Sequence, residues 1–170
     1  MTASDGALPG EVPTIRRRLA AMLYEALLLA AVAFFAGVLF HFASGGREST
    51  GWLRAAQQAY LLAVFAAYFH WCWLRGGQTL AMKAWRIRLV APGHATLPPR
   101  VAMLRFLYAA VLVGAFLVAI AAAFKHRNPW IAFGTLALTG AGLGWALVDR
   151  DRQFLHDRLA GTRLVLVPKP

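Results

Sequence analysis

The sequence predicts an all-α integral membrane protein: a four-transmembrane-helix bundle with both termini cytoplasmic, short interfacial helices and a small two-stranded cytoplasmic β pairing. Three observations carry this expectation. Hydrophobic residues make up 59% of the 170 positions and charged residues 15%, a balance unlike that of a soluble domain. Four apolar stretches, 19–42, 53–74, 101–124 and 129–148, are each long enough as helices to cross a hydrocarbon core of about 30 Å. The basic residues also divide unevenly between the two sides that four spans define. Arg16, Arg17, Arg18, Arg75, Lys83, Arg86, Arg88, Arg100, Arg150, Arg152, Arg158, Arg163 and Lys169 fall on one side, with Arg105 close behind. The other side has Arg47, Arg54, Lys125 and Arg127. By the positive-inside rule the first group, and with it both termini, is cytoplasmic.

This topology accounts for the net charge of +11 without nucleic acid and makes anionic lipid headgroups the expected partners. The single cysteine, Cys72, lies in an apolar stretch, so a disulfide within the chain and a CxxC metal site are both excluded. No GxSxG, HExxH or P-loop string occurs, so the chain is not expected to be an enzyme, and no cofactor or metal site is expected.

Residues 1–14 hold Gly6, Pro9, Gly10 and Pro13 without apolar periodicity and read as a flexible cytoplasmic arm. A membrane domain over 15–167 follows. Its first helix is headed by Arg16, Arg17 and Arg18, and Glu25 is the one acid in its apolar run. The run exceeds the h-region of a signal peptide, so the helix is expected to be retained. An ionised side chain at mid-helix costs at least about 2.5 kcal/mol. Seven residues separate Arg18 from Glu25, which places them on nearly one face with Glu25 about 10 Å deeper.

In the second helix Tyr68, Trp71 and Trp73 are expected at the inner interface, and His70 in an interfacial packing role. The loop 75–100 breaks at Gly76-Gly77. Residues 78–85 then read as an interfacial helix with Leu80, Ala81, Ala84 and Trp85 toward lipid and Lys83 and Arg86 at the headgroups. Ile87 to Val90 alternate as a strand and Pro92-Gly93 turns the chain. The third helix carries Arg105 about one turn inside; its stem either snorkels to the interface or partners Glu25. In the fourth helix Gly140 and Gly144 form a GxxxG pair with Gly134 and Gly142 nearby, read as close packing against another helix. The tail 149–170 contains a short amphipathic helix over 152–159, Gly161 near its end, and a strand over 162–167. A lone strand leaves its main-chain groups unpaired, so this one is expected to pair with residues 87–90.

An arginine seven residues before an acid in the first helix, GQTLAMKAWRIRLV after the second and HDRLAGTRLV near the end together resemble the RDD family of multi-pass membrane proteins, named for one arginine and two aspartates. The likeness covers about 15–167 with the motifs in family order. Arg18 matches the family arginine, Glu25 the intramembrane aspartate, and Asp157 of His156-Asp157-Arg158 the second aspartate. Gly77, Gln78, Thr79 and Lys83 match the middle motif, and Gly161-Thr162 the end of the last. The sequence departs from the pattern at Glu25, which is one methylene longer than aspartate, and at Ala81-Met82-Lys83, which lacks the second glycine of GQTxGK.

Two functional readings follow. In the first, which the resemblance supports, the protein carries ions or small ligands by cation/proton exchange at Glu25, with Arg18 tuning the carboxylate and Asp157 gating or collecting at the cytoplasmic mouth. In the second it is a non-catalytic structural or accessory subunit. There Glu25 pairs with Arg18 or Arg105, and Asp157 braces the tail against Arg158 or the basic loop. Four helices leave little room for inverted repeats, so a transporter of this size is expected to be a homo-oligomer or to join a membrane partner protein.

Overall fold

The computed structural model describes residues 11–48, 50–126 and 154–168, with residues 130, 131, 133, 134, 137, 140, 144 and 145 between them. In chain order the elements are helices α1 (Ile15–Ala43), α2 (Gly51–Gly76) and α3 (Leu80–Ala84), strand β1 (Ile87–Val90), helices α4 (Pro99–His126) and α5 (Leu155–Leu159), and strand β2 (Arg163–Leu166). Ile15–Ala43 and Pro99–Lys125 are long and apolar enough to cross a membrane. α2 has 26 residues, about 39 Å of helix, but it opens on Arg54, Gln57 and Gln58. The stretch 129–148 lies largely outside the described residues; those described within it are helical.

Thr14 starts α1 by accepting a hydrogen bond from the Arg17 main-chain N–H at 3.4 Å, which satisfies one of the helix's open donors. Along α1 the apolar side chains face outward: Leu23, Leu27, Phe34 and Phe35 are exposed. The packed core sits instead at one end of the bundle, where Ala21, Trp73, Met82, Ile87, Leu89, Leu97, Ala102, Phe106 and Leu164 come together. We call this end the base. Among the described residues, a core cluster gathered at one end, below helices that are apolar on the outside, is the distribution a lipid environment permits and water does not.

The base is closed by the expected strand pair. β1 and β2 run antiparallel with Ile87 opposite Leu166 and Val90 opposite Arg163. Ile87 and Leu89 turn inward and Arg88 outward, the period-two alternation of a half-buried strand. The arm does not stay loose up to the helix. Pro13 is fully buried, and the Glu11 carbonyl accepts from the Leu166 main-chain N–H at 2.9 Å.

His70 and the free thiol of Cys72 are both half-buried. Several sequence expectations are corrected here. Trp73 is a core residue, its ring 4.9 Å from that of Phe69, while Trp71 keeps the exposed position. In α3, Leu80 and Trp85 remain exposed but Ala81 is buried, because α3 lies against α1. A Cβ placed at Gly134, Gly140 or Gly144 would meet nothing within 4 Å, so among the described residues the GxxxG pair brings no backbone close.

The link between α2 and β1 depends on Gly77. Its φ of +66° is strained for any residue with a side chain. A Cβ there would come within 2.6 Å of the Leu89 carbonyl oxygen, and its own carbonyl accepts from the Leu89 N–H at 2.7 Å. Gln78 adds a bond from Nε2 to the Ile87 carbonyl at 2.7 Å. Gly77→Ala is therefore expected to destabilise the protein by about 2 kcal/mol or more. Gly76→Ala, where space is open, is expected to be neutral or to stabilise by roughly 0.5 kcal/mol. Thermal unfolding in detergent distinguishes the two.

Candidate functional site

Two polar clusters occupy the base. In the first, the Glu25 carboxylate of α1 accepts from the Tyr68 hydroxyl of α2 at 2.8 Å and from the Thr79 hydroxyl. Thr79 is the N-cap of α3; its Oγ1 also accepts the Met82 main-chain N–H at 3.2 Å. One buried hydroxyl thus uses its proton on Glu25 and a lone pair on the helix start, so the cap and the carboxylate are held by the same atom. The cluster joins α1, α2 and α3, and Glu25 itself is half-buried. Among the described residues its hydrogen-bond partners are neutral hydroxyls.

In the second cluster, Arg105 of α4 forms an ion pair with Asp157 of α5. Asp157 is fully buried and Arg105 nearly so. The Arg105 guanidinium also donates from Nη1 to the Thr162 hydroxyl at 2.9 Å and lies 5.2 Å from the centre of the Trp73 ring. Thr162 is in turn held by Asp157, whose main-chain carbonyl accepts from both the Thr162 N–H, at 3.0 Å, and the hydroxyl, at 3.3 Å. Gly161 supplies the turn between α5 and this threonine with a φ of +64°. Arg18 completes the cluster. It is 1% exposed, lies 5.7 Å over the Phe154 ring, and is near enough for its charge to act on Arg105.

The sequence model of the RDD family matches residues 12–161. The chain belongs to the RDD family. No curated protein and no solved structure matches it. Membership together with the two long apolar helices makes it a membrane protein.

In this RDD protein the residues carrying the family resemblance separate into the two clusters. Arg18, Asp157, Gly161 and Thr162 belong to the Arg105 cluster. Glu25 and Thr79 form the other, and Gly77 and Gln78 fasten the loop between them. Lys83 is exposed, and the His156 side chain lies outside the described residues. Neither role expected of Arg105 holds: it does not snorkel, being buried, and its acid is Asp157 rather than Glu25. Asp157 accordingly braces the tail against α4.

Sequence reasoning missed Tyr68 as a donor to Glu25, since an aromatic near a helix end reads equally as an interfacial anchor. It placed Thr79 only as a motif residue. The signal available was a threonine directly after Gly-Gly and before a short helix, the position of an N-cap. No group of three or more His, Cys, Asp or Glu side chains suited to a metal is found among the described residues.

Removing one member of a buried pair leaves the other's charge under-compensated. Arg105→Ala is expected to destabilise by about 3–5 kcal/mol, and the apolar double substitution Arg105→Met with Asp157→Leu to recover much of that loss. Thr79→Val, which leaves Glu25 one donor short and α3 uncapped, is expected to cost about 1–3 kcal/mol, with Thr79→Ser close to wild type. Unfolding of the purified variants in detergent checks all four.

Proposed function

We propose that this protein is a multi-pass carrier of a small cation or proton, with Glu25 as the exchanging group. It would lie in the cell membrane with four spans and both termini cytoplasmic. The observation that supports the reading is the company Glu25 keeps. Arg105 is paired with Asp157, while the acid within a membrane-spanning helix is held by two hydroxyls that carry no charge. A carboxylate in apolar surroundings without a fixed counter-charge is balanced by a proton or by a bound cation. Tyr68 and Thr79 orient its oxygens and place two further oxygen atoms beside them, the ligand type hard cations take. Asp157, locked to Arg105, would hold the base closed rather than carry the ion. The chain is read as non-catalytic and, at this size, as working in an oligomer.

The second reading is an accessory subunit whose charges fix helix packing. It is favoured by one specific feature: the same Thr79 hydroxyl caps α3 and bonds Glu25, which is an efficient way to pin three helices together.

Proteoliposomes containing a pH-sensitive dye, challenged with Na⁺ or K⁺ in turn, separate the readings. The carrier reading expects a cation-dependent signal that disappears in Glu25→Gln, while that variant, which keeps the shape and an acceptor oxygen, remains folded. A silent wild-type protein, with insertion and folding verified, would overturn it in favour of the accessory role.

A further inference from the structure

The end of α2 nearest the base carries an arginine folded back along its own helix. The Arg75 guanidinium carbon lies 3.6 Å from the centre of the Trp71 ring. Both residues are exposed, Trp71 at 59%. Side chains four apart lie one above the other and lean toward the helix N-terminus. Arg75 therefore points back toward the apolar length of α2, not past Gly76 and away from it. A guanidinium stacked on an indole keeps its planar edge of N–H donors free.

Among the described residues no carboxylate forms an ion pair with Arg75: Asp157 is taken by Arg105, and Glu25 is bonded to Tyr68 and Thr79. A second exposed cation, Lys83, lies in α3, the short helix that follows α2 in the chain. Leu80 and Trp85, on either side of Lys83 in the chain, are also exposed.

We propose that Trp71, Arg75 and Lys83 form a binding site for the phosphate of an anionic phospholipid. The charge complementarity is direct: two exposed cations that form no ion pair among the described residues meet a phosphodiester, whose oxygens match the fork of an arginine. The exposed apolar side chains around them suit the acyl chains that come with such a headgroup and disfavour an acidic peptide, which would have to enter that apolar surface. The site does not depend on the carrier reading; it requires only that α2 faces lipid.

The test is native mass spectrometry of the full chain released from detergent containing phosphatidylglycerol or phosphatidylcholine. The expected result is selective retention of phosphatidylglycerol, weakened about fivefold in Arg75→Gln, the effect of one basic residue near an anionic membrane surface. Arg54→Gln, at the opposite end of the same helix, should retain it as wild type does. Arg75→Lys should recover only part of the binding, because an ammonium does not stack as a plane. If Arg75→Gln does not fold, Trp71→Leu, which removes the platform and leaves the charge, is expected to show the same loss. Equal retention of both lipids, undiminished retention in folded Arg75→Gln or in Trp71→Leu, or displacement of the lipid by millimolar inorganic phosphate would each overturn the proposal.

Discussion

An ionised group that leaves water must be met by an opposite charge or by enough donors, and the pairing of Arg105 with Asp157 is where this protein meets that demand. The arginine belongs to a membrane-length helix and the aspartate to a five-residue helix far along the chain. Their contact fixes α5 against α4, and through Thr162 it sets the start of β2. Once β2 is placed, β1 has a partner for its ladder, and the loop carrying Gly77 and Thr79 is held beneath α1. Replacing such a pair by apolar side chains is often harmless to stability; what the pair contributes is the choice of which tail surface docks where.

Glu25 meets the same demand differently. It lies deeper along α1 than Arg18 and is surrounded by hydroxyls instead of cations. Hydroxyl donors orient a carboxylate without cancelling its charge, so the two clusters are chemically unlike although they lie within about 10 Å of one another along α1. One cluster thus brings Arg18 and Arg105 together with Asp157, and the other holds Glu25 alone among hydroxyls. Taken together, Arg18, Arg105, Asp157 and Glu25 balance in formal charge, but the positive excess and the negative excess sit in separate places.

Much of this was legible from residue order. The helices α1, α2 and α4 follow from long apolar runs between charged or glycine-rich breaks. The β1–β2 pairing follows from two short alternating segments with no other partner. Glu25 and Arg105 stand out because their neighbours are apolar, and Arg18 and Asp157 through their match to the family motifs. Which acid meets which arginine was not legible, since it depends on how the tail folds back under α4, and Asp157 has several basic residues closer in sequence. Tyr68 and Trp73 were ambiguous for another reason: an aromatic ring near a helix end serves an interface, a core or a hydrogen bond with the same local pattern. Ala81 was misplaced because a five-residue helix is too short to announce which face it buries.

The position of Asp157 in the chain also bears on how the protein is made. Synthesis is vectorial, and α1, α2 and α4 are all complete before residues 154–167 exist. During that interval Arg105 is committed to an apolar helix without its acid, and β1 without its neighbouring strand. The base can assemble only when residues 154–167 return to it. A ribosome pausing before residue 157 would therefore leave an inserted but unlatched intermediate, and quality control that senses an unanswered charge in a membrane helix would have its window there.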